Sequence, residues 1–434
     1  MATEPRKPVK KRPAGTGTGT GTKRPASAGA GTGTKRPQGA GAGTKKPADK
    51  RPVNKKPASG RPVRQEEPVR RSEPPRKKKK PASVQKQAKK KRTKVLLFIL
   101  EIFVLLIMVV VLYSVLKFEK VGKMDLQREE LVINPEVEQK EETTMKGYWN
   151  IALFGVDSTT GALTKNTRSD TIMIASINQD TGDCKVVSVY RDTYLNLSND
   201  SYNKCNSAYA KGGPKQAINM LNMNLDMNIE DFVTVGFAGL ADTIDALGGI
   251  MIDIDSVELK HINNYQICMA EDLKRSYTPV TSTGYQLLDG LQATAYCRIR
   301  YGGGDDFKRT ERQREVLLAI ADKAKTASPA TLNEIANAIF DKDEIYTSLD
   351  VSEILELLGG IAKYQVVAQG GFPEETRRTT GTIGEKGSCV VPLSLSDNVQ
   401  WLHEFLFEDE EYSPSETVLQ ISDKVKSDTS GYVK

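Results

Sequence analysis

Residues 150–192 read NIALFGVDSTTGALTKNTRSDTIMIASINQDTGDCKVVSVYRD. Three apolar, β-rich runs stand in this stretch, at 150–156, 171–177 and 185–190. Each is bounded by turn-forming residues, the pattern of strands. Downstream the period changes. Residues 214–224 and 240–247 carry helical spacing, Gly248 and Gly249 form a stop, and 250–254 is another strand. Residues 287–296 read as helix, 298–301 as extended chain and 306–326 as a long helix. Further helices fit 329–340, 352–363 and 397–407. Strands alternating with helices predict an α/β fold, a layered sheet with helices on both faces. The strand order is not legible from this pattern.

Charged residues stand where these strands end. Asp157 closes the first run, Arg168 and Asp170 introduce the second, and Arg191 and Asp192 follow the third. Ligands of layered α/β sheets gather at strand ends, where side chains leave the core and loops converge. One such residue is more often a plain solvent contact, but acids and arginines at successive ends point to a shared site. Asp157 and Asp170 among arginines suit Mg²⁺ or Mn²⁺, because hard cations take one or two carboxylates together with substrate phosphate oxygens. The chemistry implied is phosphoryl transfer to a hydroxyl.

The segment 296–314, YCRIRYGGGDDFKRTERQR, is the strongest signal. Arg298 and Arg300, two apart in extended chain, are expected on one face. The glycines at 302–304 permit a tight turn into the long helix. On that helix Asp306, Arg309 and Gln313 fall within about 60° of one another, on the stripe that continues through Leu317, Ile320 and Ala324. Arginines drawn to a core-facing stripe need an anion, and guanidinium forks match phosphate oxygens. The alternative is a structural network in which they pair with Asp305, Asp306 and Glu311.

The flanks of this region set its surroundings. Residues 1–94 hold 30 Lys and Arg against 5 Asp and Glu, a net +25, and no aromatic residue; the remainder has 32 basic and 50 acidic residues, a net −18. Chain of the first composition buries too little apolar surface to fold, so 1–94 is expected to be a disordered basic tail. It repeats a short unit at Lys11-Arg12-Pro13, Lys23-Arg24-Pro25 and Lys35-Arg36-Pro37, continuing to Lys55-Lys56-Pro57. Attraction to anionic lipid suits it better than nucleic acid, since no aromatic side chain is present to stack on bases. Residues 95–116, VLLFILEIFVLLIMVVVLYSVL, would span about 33 Å as a helix, the thickness of a bilayer's apolar core. Lysines 89–91, Arg92 and Lys94 precede the run, which predicts a cytoplasmic tail, one transmembrane helix and an extracellular remainder. Glu101 within the run is expected near its cytoplasmic end. Residues 117–147 read as a stalk, 148–326 as the catalytic domain and 327–434 as a helical and extended extension of it.

The same residues resemble a known family. GVDS (155–158), TRSDTIMIASIN (167–178), VVSVYRDTYL (186–195), NSAYAKGG (206–213), DALGGIMIDI (245–254), GYQLLDGLQATAYCRIRY (284–301) and DDFKRTERQR (305–314) are similar in order and spacing to the LytR-CpsA-Psr family, over residues 147–325. That resemblance implies an enzyme that transfers an anionic glycopolymer (teichoic acid, capsule or a related polysaccharide) from a polyprenyl pyrophosphate carrier to peptidoglycan, with magnesium as cofactor. It implies Asp157 and Asp170 as metal ligands. It implies Arg168, Arg191, Arg298, Arg300, Arg309 and Gln313 on the pyrophosphate, with Arg309 catalytic. Asp306 would orient an arginine or help deprotonate the acceptor. Apolar positions within 214–247 are either plain core or the wall of a tunnel for the prenyl chain. A polyprenyl pyrophosphate phosphatase, or a membrane-bound regulator whose tail touches nucleic acid, are the competing readings.

Two scarce residue types narrow the chemistry further. His261 and His403 lie in polar or amphipathic surroundings and are expected to be solvated, which disfavours a Ser-His-Asp hydrolase or a His-rich metal centre. The five cysteines include no C-x-x-C pair, against a zinc ribbon or thioredoxin-type site. Cys205 and Cys297 each adjoin a motif expected at the site, so they are the candidates for a disulfide, with buried thiols as the alternative.

Overall fold

The computed structural model describes Met108 and residues 122–433, apart from 159–162, 165, 302–304, 329, 333 and 336–343. The basic tail, the membrane span with Glu101 (Met108 aside) and the glycines at 302–304 therefore lie outside the described residues. Among the described residues no helix is long and apolar enough to cross a membrane.

The 150–192 stretch forms three neighbouring strands as its pattern requires: β2 (Tyr148–Val156), β3 (Ser169–Asn178) and β4 (Asp183–Val189). With β1 (Gly122–Lys123), β7 (Asp231–Gly236), β10 (Ile345–Thr347) and β11 (Gln365–Phe372) they form a seven-stranded mixed sheet in the order β1-β10-β7-β2-β3-β4-β11, while β5 (Tyr194–Asn196) and β6 (Tyr202–Lys204) make a separate two-stranded pair. β7 runs parallel to β2, and β11 parallel to β4. β1 and β10 complete the other edge. Alternation along the strands splits the core into two layers. Ala152, Phe154, Ile172 and Ile174 face a core containing helix α2 (Asn206–Leu225) and the C-terminal helices α8 (Leu395–Phe407) and α9 (Glu416–Thr429). Ile151, Met173, Ala175 and Ile177 face Leu317 of α6 (Asp305–Lys325) and Leu357 of α7 (Val351–Gly360). Helices thus cover both faces.

A second core lies beside the sheet. The β8–β9 hairpin (Ile250–Ile254, Gly284–Leu288) packs with α3 (Phe237–Ala246), α4 (Ser256–Leu273) and α5 (Gly290–Tyr296) around Ile244, Ile262, Met269 and Tyr296. Val316 of α6 belongs to this core while Leu317 belongs to the sheet's, so α6 joins the two.

Several expectations are corrected. The 117–147 segment is not a separate stalk over its described part: helix α1 (Pro135–Glu141) buries Val137 in the main core, where Met145 joins it. Residues beyond 326 supply β10 and β11 to the sheet itself. Residues 298–301 are not a strand. Instead α5 closes in a turn, with Arg298 N–H donating to the Ala295 carbonyl and Ile299 N–H to that of Tyr296, and 299–301 are irregular. The 287–296 pattern divides between β9 and α5.

His403 is not solvated. It is fully buried on the inner face of α8, a ring nitrogen 3.0 Å from the Leu225 carbonyl. Burial holds its pKa far below the ordinary 6.5, at about 3, so the folded ring is neutral. The unfolded chain therefore binds the extra proton. This residue's contribution to stability is intact above about pH 6.5 and is lost as the pH falls from there towards 3. Urea unfolding across that window should show a steeper loss for the wild type than for His403→Gln; parallel profiles would contradict the assignment.

Candidate functional site

The register of the sheet brings the charged strand ends together. Val156 of β2 is opposite Ser169 of β3, and β3 pairs antiparallel with β4, so Asp157, Asp170 and Arg191 emerge at one end of the sheet. At that end β2 is bulged between Gly155 and Val156, and a Cβ at Gly155 would stand 2.8 Å from Thr171 Cβ and Oγ1. A side chain there would press against β3 and the cavity both residues line.

Asp170 is the centre of the cluster. Its carboxylate takes Arg191 Nη1 at 2.8 Å, Arg300 Nη2 at 3.4 Å and Arg309 Nη1 at 3.5 Å. Asp306 bridges two of the same cations, at 3.2 Å from Arg191 Nε and 3.0 Å from Arg309 Nη2. Arg298 reaches Asp157 at 3.8 Å and lies 4.6 Å from the Phe237 ring centroid, a cation–π contact. Arg298 and Arg300 thus reach one site through different carboxylates, although no extended strand aligns them. Arg309 is almost wholly buried. Burial pulls its pKa down to about 10, against the pull of Asp306 and Asp170. For Arg191 burial acts in the same direction, but Asp170, Asp306 and Asp192 outweigh it and the net shift is upward.

Of these groups Asp157, Asp170, Arg298, Arg300 and Arg309 line a cavity of about 240 Å³ together with Gln313, while Arg191 and Asp306 join it only through their ion pairs with Asp170 and Arg309. Arg309 Nε and Gln313 Oε1 are buried without a hydrogen-bond partner among the described residues. Buried polar atoms normally have partners, so the bare Arg309 N–H marks a place built for an acceptor-bearing ligand. Four guanidinium groups stand against Asp157, Asp170, Asp306 and Asp192, and Lys204 engages Asp192 at 3.2 Å, which leaves the cluster suited to an anion.

A second cavity of about 260 Å³ adjoins the first, and Gly155, Thr171, Phe237, Cys297 and Gln313 line both. Its remaining wall is apolar apart from Thr243: Leu153, Met173, Val233, Val235, Leu240, Val316, Leu317 and Ile320 contribute. The apolar positions of 214–247 therefore divide. Those of α2, such as Ile218 and Leu221, are core on the opposite face of the sheet, while β7 and α3 wall the cavity.

Arg168 is exposed and makes no ion pair among the described residues. The disulfide expectation fails, because Cys205 and Cys297 are both free thiols. Cys205 lies in the main core, its Sγ 3.2 Å from the Tyr190 and Arg191 carbonyls, whereas Cys297 belongs to the second core. Burial pushes the Cys297 thiol up to about 12, which makes it an inert wall of the cavity. Phe237 and Tyr265 were not legible as site residues. Phe237 directly follows DFVTVG, a run that forms β7 but is too short to place it from sequence alone.

A carboxylate pair lining one cavity fits a magnesium or manganese ion that also binds phosphate oxygens. It does not fit an all-protein cage, since no group of three or more His, Cys, Asp or Glu able to hold a metal occurs among the described residues. Asp157, held only at 3.8 Å, is freer for that role than Asp170, which three arginines engage.

The fold and sequence have known counterparts. The solved structure "TagT bound to LI-WTA" shares the fold at a TM-score of 0.51 and 22% identity, covering 67% of this chain and 100% of that one. Biofilm regulatory protein A of Streptococcus mutans is 29% identical over 240 residues, 51% of this chain and 57% of that protein. The polyisoprenyl-teichoic acid–peptidoglycan teichoic acid transferase TagU of Enterococcus faecalis is 30% identical over 205 residues, 46% and 62% of the respective lengths. The chain thus spans less than two thirds of the length of these curated relatives. The LytR_cpsA_psr family model matches residues 112–383, well over half of the sequence, with all the site residues inside it. The chain belongs to the LytR-CpsA-Psr family.

Proposed function

We propose that this protein is a membrane-anchored phosphotransferase that moves an anionic glycopolymer from a polyprenyl pyrophosphate carrier to peptidoglycan. The observation that carries the reading is the pairing of cavities. An arginine-lined space sized for a diphosphate adjoins, across five shared residues, an apolar one suited to a prenyl chain. The name of the Enterococcus faecalis relative points the same way.

Arg191, Arg298, Arg300 and Arg309 would hold the diphosphate, with Gln313 donating through its amide. Arg168, exposed just before β3, would meet substrate entering from solvent. Asp157 and Asp170 would hold magnesium together with phosphate oxygens, the ion supplying charge neutralisation. An acceptor hydroxyl then forms its O–P bond at the polymer-bearing phosphorus. The bond from that phosphorus to the bridging oxygen breaks, polyprenyl phosphate leaves with the electron pair, and the hydroxyl proton passes to solvent. Charge building on the leaving phosphate is met by fixed, partly buried guanidinium groups, which is where such groups are most effective. Asp306, whose contacts are Arg191 and Arg309, is better suited to orienting them than to taking the proton. The topology in this reading is a cytoplasmic basic tail against anionic lipid, one span at 95–116 and the folded domain outside.

Full-length protein in detergent, given a labelled prenyl diphosphate glycan, magnesium and purified peptidoglycan, should transfer label to the insoluble wall fraction. Label released only as a soluble glycan phosphate would favour the phosphatase, and label left on lipid would overturn both. The Arg298→Ala/Arg300→Ala variant should weaken prenyl diphosphate binding by at least about 10-fold, the scale of one charge-assisted hydrogen bond. Unchanged affinity would remove these residues from the site.

A further inference from the structure

Beside the arginine cluster stands a second cationic group that the proposed mechanism does not use. Tyr190 and Phe307 meet edge to face, 4.7 Å between ring centroids. The Arg378 guanidinium lies over both, 4.8 Å from the Tyr190 ring and 4.2 Å from that of Phe307. Its Nη1 donates to the Tyr190 hydroxyl at 3.2 Å and to the Pro373 carbonyl at 3.1 Å. Arg314, on the same side of α6 as Phe307, is only 8% exposed. Its Nε donates to Gln369 Oε1 at 3.2 Å, and its Nη1 is buried with no partner among the described residues.

Neither arginine forms an ion pair among the described residues. The nearest acids are committed elsewhere: Glu311 to Lys308 at 2.6 Å, and Glu315 as acceptor from the Tyr296 hydroxyl. A buried guanidinium with a bare N–H and no counterion is costly unless something supplies oxygen acceptors. Space for the arrangement is reserved, since a Cβ at Gly371 would run into the Tyr190 hydroxyl.

Its position is informative. Tyr190 directly precedes Arg191, and Phe307 directly follows Asp306, so one backbone step on each element separates this group from the catalytic cluster. Along this end of the sheet the apolar cavity lies over β7 and β2, and the diphosphate-sized cavity over the ends of β2 and β3. The Tyr190–Arg378 group lies at the ends of β4 and β11. Neighbouring strands are about 4.8 Å apart, which puts this group on the order of 10 Å from the diphosphate space, on the side away from the lipid.

We propose that Arg314, Arg378 and the Tyr190 hydroxyl form a second anion site, which holds an anionic group of the glycopolymer itself. This rests on the transferase reading above and adds to it that the substrate carries a phosphodiester or carboxylate close to its pyrophosphate. Guanidinium groups suit either oxyanion, and the Tyr190 hydroxyl keeps a proton to donate.

The test uses two probes on the full-length protein in detergent: a short-chain prenyl diphosphate bearing a neutral disaccharide, and the same probe with a phosphodiester on the disaccharide. The wild type should prefer the charged probe by about 10-fold, the scale of one added charge-assisted contact. Arg378→Gln and Arg314→Met should each abolish that preference and leave the neutral probe's affinity unchanged, while Arg378→Lys should keep part of it. Equal affinity of the wild type for both probes overturns the second site and leaves the transferase reading standing. Equal losses on both probes in the variants overturn it too, assigning the residues to the fold or to the pyrophosphate. Binding of neither probe by the wild type overturns the transferase reading, and the second site with it.

Discussion

Asp170→Asn is expected to lower kcat by about 10²- to 10³-fold, the range seen when one preorganised charge-stabilising group is removed from an active site. One carboxylate here positions three cations: Arg191, Arg300 and the nearly buried Arg309. The amide keeps the shape but not the charge. Three guanidinium groups would then face one another with Asp306 as the remaining counterion to Arg309, Asp306 and Asp192 as those to Arg191, and only a neutral amide oxygen left for Arg300. The direction of the binding change separates positioning from plain substrate contact. Removing a negative charge beside a diphosphate does not weaken its attraction to the arginines, so affinity for a prenyl diphosphate measured without magnesium should be unchanged or tighter while turnover collapses. A fall in affinity matching the fall in kcat would mean that Asp170 acts chiefly by holding the fold. If Asp157 and Asp170 share a magnesium ion, the variant should also need more magnesium to reach its own maximal rate. An unaltered magnesium titration would move the metal elsewhere.

Much of this site is legible in the chain because its parts are local. Alternation over 150–156, 171–177 and 185–190 locates three strands, and in an antiparallel sheet the charged residues at alternate ends must meet. The helical spacing of Asp306, Arg309 and Gln313 likewise needs no tertiary information. What escapes the sequence depends on distant partners. β7 lies at the middle of the sheet, yet its short FVTV run sits between helical patterns and gives little periodicity of its own. His403 occupies a position on α8 that looks amphipathic, and only the Leu225 carbonyl, 178 positions away, shows that its side of the helix is buried. Arg298 and Arg300 reach their expected site by an unexpected backbone, because α5 closes in a turn and 299–301 are irregular. Arg378 falls in a region without a readable motif, and its relation to Tyr190 arises only when β11 pairs with β4.

Arg312→Ala is expected to destabilise the protein by about 3–5 kcal/mol, the usual consequence of stripping one partner from a buried ion pair. Arg312 and Glu258 are 5% and 6% exposed, with Nε and Oε1 at 2.7 Å. Their worth lies less in the pair than in what each end also holds. Glu258 accepts from the Asp255 backbone N–H and completes the capping box of α4. Arg312 Nη1 donates to the Ile299 carbonyl at 3.0 Å, the residue between Arg298 and Arg300. Loss of the guanidinium therefore leaves a buried carboxylate uncompensated and unpins the segment that carries two site arginines. The double variant Arg312→Met/Glu258→Gln separates the two effects. It removes the buried charges together, keeps an acceptor for the helix cap, and should recover most of the urea midpoint. Transfer activity should stay low, because Met cannot hold the Ile299 carbonyl. Full recovery of activity in that variant would show that the carbonyl contact does not position the arginines. A single-variant loss below about 1 kcal/mol, the worth of an exposed pair, would show that the pair is not buried in solution.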